Sequence, residues 1–263
     1  MYSFAYHRPA SATEAETLAT KASEGRFLAG GMTLLPAMKL RLAQPSDLID
    51  LSRIADLKGI SATGSEVRIK AMTTHAAVAA SPEMRKAIPA LARLAGLIGD
   101  PQVRNRGTIG GSLANSDPAA DYPAAVLALN ATVHTTRRSI PADSFIKGMF
   151  ETALQPGELI TAVSFPIPQS AAYEKFPHPA SRYAVVGVFV ARTAGGVRVG
   201  VTGAGPCAFR ATAFEQALAK NFTPDALKGL SIPATGLNSD IHAAADYRAH
   251  LIGVLARRAV AAA

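Results

Sequence analysis

The chain has 263 residues, 49% of them hydrophobic and only 17% charged, which is enough apolar material for a sizeable core and excludes a disordered tail. Its 27 Lys and Arg against 19 Asp and Glu give a net charge of +8, but the basic residues are dispersed, tryptophan is absent and no nucleic-acid-binding motif occurs, so no nucleic-acid partner is expected. One cysteine, Cys207, excludes an internal disulfide, and it cannot by itself hold an iron–sulfur cluster or a structural zinc; the six histidines show no ligand spacing.

Met1 to Pro9 is polar and aromatic, not a basic stretch followed by an apolar run. The longest apolar stretches, such as Ala184 to Ala191, fall far short of a membrane span. The chain therefore reads as cytoplasmic, without a membrane span. Short apolar runs bounded by turn residues predict strands at Phe27 to Ala29, Leu48 to Leu51, Val67 to Met72, Ala131 to Thr135 and Leu159 to Phe165. Helices are predicted between them at Thr13 to Ser23, Leu34 to Leu42, Pro89 to Ile98 and Pro123 to Leu129. Pro166, Pro168, Pro177 and Pro179 then mark a boundary, placed near Ile167. Beyond it, Ala172 to Phe176, Tyr183 to Arg192 and Val197 to Thr202 read as a three-stranded meander, its second turn made by Gly195-Gly196. Thr212 to Lys220, with a threonine placed to cap it, and Asp246 to Ala261 read as helices.

Two glycine pairs stand in informative contexts. In Phe27-Leu28-Ala29-Gly30-Gly31-Met32-Thr33-Leu34-Leu35 a strand runs through two glycines and a hydroxyl residue into a helix, the arrangement that aims free N–H groups at an anion. The second pair lies in Arg104 to Asp121, which is composed almost entirely of small, polar or turn-forming residues and reads as one long loop. It offers backbone donors at Gly110 to Ser112, hydroxyls at Thr108 and Ser112, and carboxylates at Asp117 and Asp121. Neither pair matches the P-loop or the dinucleotide fingerprint. Two readings stand on the residues alone: turns serving only the fold, or two loops sharing a phosphate-bearing ligand.

Three ordered blocks carry a resemblance: Ala29-Gly30-Gly31-Met32-Thr33-Leu34-Leu35-Pro36-Ala37-Met38-Lys39, then Thr108-Ile109-Gly110-Gly111-Ser112-Leu113-Ala114, then Asp117-Pro118-Ala119-Ala120-Asp121. They resemble the FAD-binding medium subunit of the molybdenum hydroxylases, the family of carbon monoxide dehydrogenase and xanthine dehydrogenase. Lys175-Phe176, Arg182-Tyr183-Ala184, Thr202 to Pro206 and Tyr247-Arg248 through Ala259 extend the likeness over essentially the whole chain. The resemblance implies an α+β fold: a two-lobed PCMH-type FAD-binding domain at 1–167, with lobes at about 1–56 and 57–167, then a smaller α+β domain at 168–263 that closes over the isoalloxazine with its three-stranded antiparallel sheet and helices.

It also implies noncovalent FAD, with Leu28, Ala29, Gly30, Gly31, Met32, Thr33 and Leu34 and then Thr108, Ile109, Gly110, Gly111 and Ser112 around the diphosphate, and Asp121 on the nucleotide portion. Ile98 and Ile160 align with apolar flavin contacts, Lys175 with a cation near the ring, and Tyr183 with a tyrosine beside the isoalloxazine. A solvated strand lysine and a core tyrosine are the alternatives for the last two. Met32 departs from the polar residue of many relatives, which leaves its backbone donor intact. Arg104 and Arg106 anchor the loop or a partner chain, or are surface arginines; Cys207 reads as a small buried residue.

The implied function is that of the electron-transfer subunit of a heterotrimer. A large subunit carries the molybdenum cofactor, a small one carries two [2Fe–2S] clusters, and the whole assembles as a dimer of heterotrimers. FAD on this chain passes electrons to a quinone, NAD or oxygen. No protein residue of this chain is assigned a catalytic role, and no metal is expected on it. A stand-alone flavin oxidoreductase and a scaffold subunit that has lost FAD are the alternatives.

Overall fold

Five elements make the first lobe. In the computed structural model, which describes residues 1–263, β1 (Ala5–His7), α1 (Ala12–Lys21), β2 (Gly25–Leu28), α2 (Leu34–Lys39) and β3 (Asp47–Asp50) follow in order, and the strands pair in parallel as β1-β3-β2. Ser11 starts α1: its hydroxyl accepts from Glu14 N, and Glu14 Oε2 accepts in turn from Ala10 N. Ala15, Ile49, Leu51, Ile54 and Leu57 form a small core, into which Met72 and Leu159 reach from the second lobe.

The second lobe opens with β4 (Ile60–Ala62) and β5 (Glu66–Lys70) and then runs through short helices, α3 (His75–Ala80), α4 (Pro82–Ala87), α5 (Pro89–Gly96), α6 (Pro101–Arg106), α7 (Ile109–Asn115) and α8 (Tyr122–Ala128). Side chains at Thr74, Ser81, Asp100 and Thr108 cap α3, α4, α6 and α7, which is why a run of such short helices holds together. After β6 (Thr132–Thr135), β7 (Ser139–Pro141), α9 (Ala142–Phe145) and the hairpin of β8 (Ile146–Gly148) and β9 (Glu151–Thr152), β10 (Ile160–Pro166) closes an antiparallel sheet ordered β4-β5-β10-β6-β7. Here the sequence reading is corrected. Residues Arg104 to Asp121 are not one loop, because α6 runs to Arg106 and α7 occupies Ile109–Asn115. Buried Ile109 and Leu113, four residues apart, anchor one face of α7, and this packing outweighs the poor helix propensity of Gly110 and Gly111.

The last part contains β11 (Ser170–Pro177), β12 (Ala184–Thr193), β13 (Gly196–Thr202), β14 (Phe209–Arg210), α10 (Thr212–Lys220) and α11 (Ala245–Ala262). The expected three-stranded sheet has a fourth strand: β14 pairs with β13 through Gly200 and Val201, and a two-residue strand is too short to show a period. Thr212 is the first residue of α10 and not its cap; Ala211 holds that place without a side-chain bond. Pro177 ends β11, so the proline-rich stretch is mostly strand.

β12 and β13 carry two cores. On one face Tyr173, Phe189, Ala191 and Ala208 join the core of the second lobe; on the other, Val188, Val190, Val199 and Val201 pack under α10 and α11. The first contact is made by α8, buried along its whole length, which lies so close to β13 that a Cβ on Gly200 would stand 2.1 Å from the Ala124 carbonyl oxygen. No helix is long and apolar enough to cross a membrane.

Candidate functional site

The two glycine segments meet. A Cβ on Gly30 would lie 2.1 Å from the Arg106 carbonyl oxygen and 2.8 Å from Gly107 Cα, and one on Gly111 would lie 3.3 Å from Ala29 Cβ. Side chains at these places would push the lobes apart, so the glycines let the two lobes touch at this point. Gly31 also has φ +76°, in the left-handed region that favours glycine.

Their backbone donors differ. From Ala29 to Thr33, five consecutive N–H groups make no hydrogen bond within the chain, although Gly30 and Gly31 are buried and α2 starts directly behind them. The Thr33 hydroxyl is also free, since it does not cap α2. A row of unspent amides beside a helix start is a cradle for an oxyanion such as a diphosphate. In the second segment, however, the donors expected at Gly110 to Ser112 are already used. Ile109 N donates to Thr73 O, Gly110 N to Ala71 O, Ser112 N to Thr108 O and Gly111 N to Thr108 Oγ1. Gly110 faces inward, its would-be Cβ 2.6 Å from Ala71 Cβ. What this segment can offer a ligand is its hydroxyls, Thr108 and Ser112.

Beyond α7, Ser116 turns left-handed at φ 46° and the chain enters Asp117–Asp121, which hangs on the C-terminal sheet. Gly203 N donates to Pro118 O at 2.8 Å, and the Thr202 hydroxyl contacts Pro118 O and Ala120 O at 2.9 and 2.6 Å. Arg248, buried on α11, fixes that sheet end: it donates to Val185 O and Gly203 O and forms a two-point pair with Asp240. Asp121 itself is sealed. The Tyr173 hydroxyl donates to one oxygen at 2.6 Å, and Lys175 Nζ reaches both, at 2.9 and 3.0 Å. Burial pushes the Asp121 carboxyl up, against the pull of the Lys175 charge and of the two donors. Asp121 is thus the counter-ion of Lys175 and not a free acceptor. Lys175 also donates to Leu97 O at 3.1 Å, which brings it beside half-buried Ile98.

Tyr183 stands 48% exposed just before β12, next to Ala184, whose N–H donates to Ala119 O of the Asp117–Asp121 loop at 3.4 Å, and burial with the Asp117 and Asp121 charges pushes its hydroxyl up. Ile160 is buried in the core of the second lobe, one strand behind α7: Ala71 N donates to Thr161 O while Ala71 O accepts from Gly110 N. Leu28, Leu34 and exposed Met32 flank the amide row. The structure therefore gathers the first segment, Thr108 and Gly111 at one place, and Ile98, Asp121, Lys175 and Tyr183 at another, joined by the Asp117–Asp121 loop.

The sequence alone assigns no role to His75, Tyr173, Thr202 or Arg248, although Thr202 and Arg248 lie in segments that carry the family likeness. His75 lies 5% exposed beneath the second segment, where its Nε2 would be 2.6 Å from a Cβ on Gly107, and burial together with the Arg104 charge lowers its pKa to about 4. Its Nδ1 and the neighbouring Tyr122 hydroxyl have no partner within the chain. The apolar surroundings of these groups come from distant parts of the chain, and nothing local in the sequence marks His75, the first residue of α3, as special.

Residues 2–168 match the family described as FAD binding domain in molybdopterin dehydrogenase. The carbon monoxide dehydrogenase medium chain of Hydrogenophaga pseudoflava is 38% identical, covering 99% of this chain and 96% of that protein. The nicotine 6-hydroxylase medium subunit of Paenarthrobacter nicotinovorans is 36% identical over 97% and 95% of the two chains. Among solved structures, a chain of a Cu,Mo-CO dehydrogenase superposes with a TM-score of 0.90 at 36% identity, covering 99% of this chain and 97% of that one.

Proposed function

The chain belongs to the family of FAD-binding domains of molybdopterin dehydrogenases, an oxidoreductase subunit of the carbon monoxide and xanthine dehydrogenase type, and from that premise we propose that it is the flavin-carrying electron-transfer subunit of a molybdenum hydroxylase. The observation that carries this reading is the row of five unpaired amides at Ala29 to Thr33, placed where two lobes meet. Bound FAD would supply a centre that takes electrons singly and releases them in pairs. The chain supplies the rest. The amides and the Thr33, Thr108 and Ser112 hydroxyls hold the diphosphate, with Leu28, Met32 and Leu34 beside it and Ile109, Gly110 and Gly111 fixing the opposite wall. Ile98 and Tyr183 bound the ring, with Ile160 in the core behind, and the Lys175 ammonium, held by Asp121, lies beside it.

Electrons reach this chain from outside. Its single cysteine cannot hold an iron–sulfur cluster, which supports a donor on another chain. Relatives named as medium chains support an assembly with a large and a small partner subunit; our reading assigns the molybdenum cofactor to the large one and two [2Fe–2S] clusters to the small one, in a cytoplasmic dimer of heterotrimers. The test is the visible spectrum of the purified complex. One FAD per chain, released on denaturation and accompanied by iron and molybdenum on separate chains, is the expected result. Colourless protein that takes up no added FAD would show a scaffold, and an active lone chain would refute the heterotrimer.

A further inference from the structure

The antiparallel sheet of the second lobe turns one face to the core and leaves polar side chains on the other. Ser139 on β7, His134 on β6, Ser164 on β10 and Glu66 on β5 stand on neighbouring strands of that second face. Alternation along the strands sends Val67, Val133, Ile140 and Val163 into the core and the residues next to them outward. The outward side chains form one connected row. His134 Nδ1 lies 2.9 Å from Ser139 Oγ, His134 Nε2 lies 3.0 Å from Ser164 Oγ, and Ser164 Oγ lies 3.5 Å from Glu66 Oε1. An ionised carboxylate only accepts, so Ser164 donates to Glu66 and accepts from the Nε2–H of His134. That leaves the Nδ1 lone pair of a neutral ring for the Ser139 hydroxyl. Burial and the Arg68 charge, against the Glu66 charge, hold His134 below its ordinary value, so the ring is a free base at neutral pH.

Ser139 is exposed, on the strand that forms the free edge of the sheet. Thr135 N donates to Arg138 O, so the next cross-strand pair, His134 with Ser139, is a non-hydrogen-bonded one. Its side chains stand close together, and the Ser139 N–H points off the sheet edge, open to an oxyanion formed at its own side chain. The flanking cations are engaged elsewhere, Arg137 with Glu16 and Arg138 with Glu158. A hydroxyl, a neutral imidazole that accepts its proton, a group that fixes the tautomer and a carboxylate behind it are the parts of an activated serine. We propose that Ser139 is a nucleophile with His134 as its base, and that it takes the acyl group of small activated esters that reach this open face. The Ser139 Oγ–carbon bond forms as the C–O bond of the ester breaks. His134 takes the hydroxyl proton on Nδ1 and passes it to the departing alcohol, and water then releases the acid and restores Ser139. Ser164 and Glu66 touch no substrate; they are positioning residues that hold the His134 tautomer.

The test treats the purified full chain with a fluorophosphonate, which a nucleophilic serine attacks at phosphorus with loss of fluoride, and locates the adduct by peptide mass spectrometry. The label should fall on Ser139 and disappear in Ser139→Ala, together with the hydrolysis of p-nitrophenyl acetate above the buffer rate. His134→Gln should slow labelling about a hundredfold or more, the loss expected when a general base is removed. Glu66→Gln should slow it about fivefold, the worth of one hydrogen bond behind the base. In the wild type the labelling rate should rise with pH as His134 loses its proton and then level off, a step that a structural role for His134 would not produce. Ser139→Ala removes only an exposed hydroxyl, so with the wild-type pH profile it decides the matter if His134→Gln does not fold. No label on Ser139, a rate unchanged in His134→Gln, or a pH profile without that step would overturn the inference. The flavin reading rests on the amide row at Ala29 to Thr33 and would stand in either case.

Discussion

Ala29 to Leu34 and Thr108 to Ser112 look alike as text: each sets two adjacent glycines among small apolar and hydroxyl residues. In the fold they are opposites. The first leaves five successive amides unspent, whereas the second returns the amides of Ile109 to Ser112 to the chain, two of them to Thr108. A glycine pair therefore says only that backbone comes close to something. At Gly30 and Gly110 that something is backbone or side chain of this protein, and only an account of where each N–H goes separates a ligand cradle from a packing contact.

The contrast can be broken at several points. Gly30→Val should have the largest effect, because its side chain would drive into the Arg106 carbonyl. Flavin should be lost and the thermal midpoint should fall, as read by visible absorbance and calorimetry. Gly111→Val presses only on Ala29 Cβ and Thr108 Oγ1 and should cost less stability while still weakening flavin retention. Lys175→Met strands the buried Asp121 carboxylate, a loss of roughly 3–5 kcal/mol for a broken buried pair, measurable by urea unfolding.

His75 gives the wall behind the second segment a pH dependence. Its pKa falls from 6.5 to about 4 on folding, so the unfolded chain binds the proton more tightly between those values. Stability is complete above pH 6.5 and is lost as pH falls towards 4, by roughly 3 kcal/mol at about 1.4 kcal/mol per pKa unit. His75→Gln should flatten that part of the urea-midpoint profile. The smallest and most discriminating pair is Thr108→Val against Thr33→Val. The former removes a helix cap and should lower stability by about 1 kcal/mol. The latter removes a hydroxyl with no internal partner, so stability should hold while FAD affinity drops by about fivefold, near 1 kcal/mol.

Much of the architecture was legible because its signals are local. Alternation and turn residues give β2, β3, β5, β6 and β10 to β13 to within a few residues, and the family blocks point to both glycine segments. What escaped depended on partners far away in sequence. α7 is a helix because Ile109 and Leu113 find a core and Thr108 caps it, despite two glycines. Asp121 read as a ligand because nothing near it in sequence reveals Tyr173 and Lys175, more than fifty residues away, which occupy both its oxygens. Arg248 looked like one arginine of an Ala-rich helix, and its grip on Gly203, which holds the Asp117–Asp121 loop, is purely tertiary.

Hydrogen exchange read by mass spectrometry, on the flavin-free and FAD-loaded protein, tests the central distinction most directly. The amides of Ala29 to Thr33 should exchange freely without FAD and become protected with it, while those of Ile109 to Ser112 should be protected in both states. Protection by FAD that appears in the second segment and leaves the first unchanged would contradict the account.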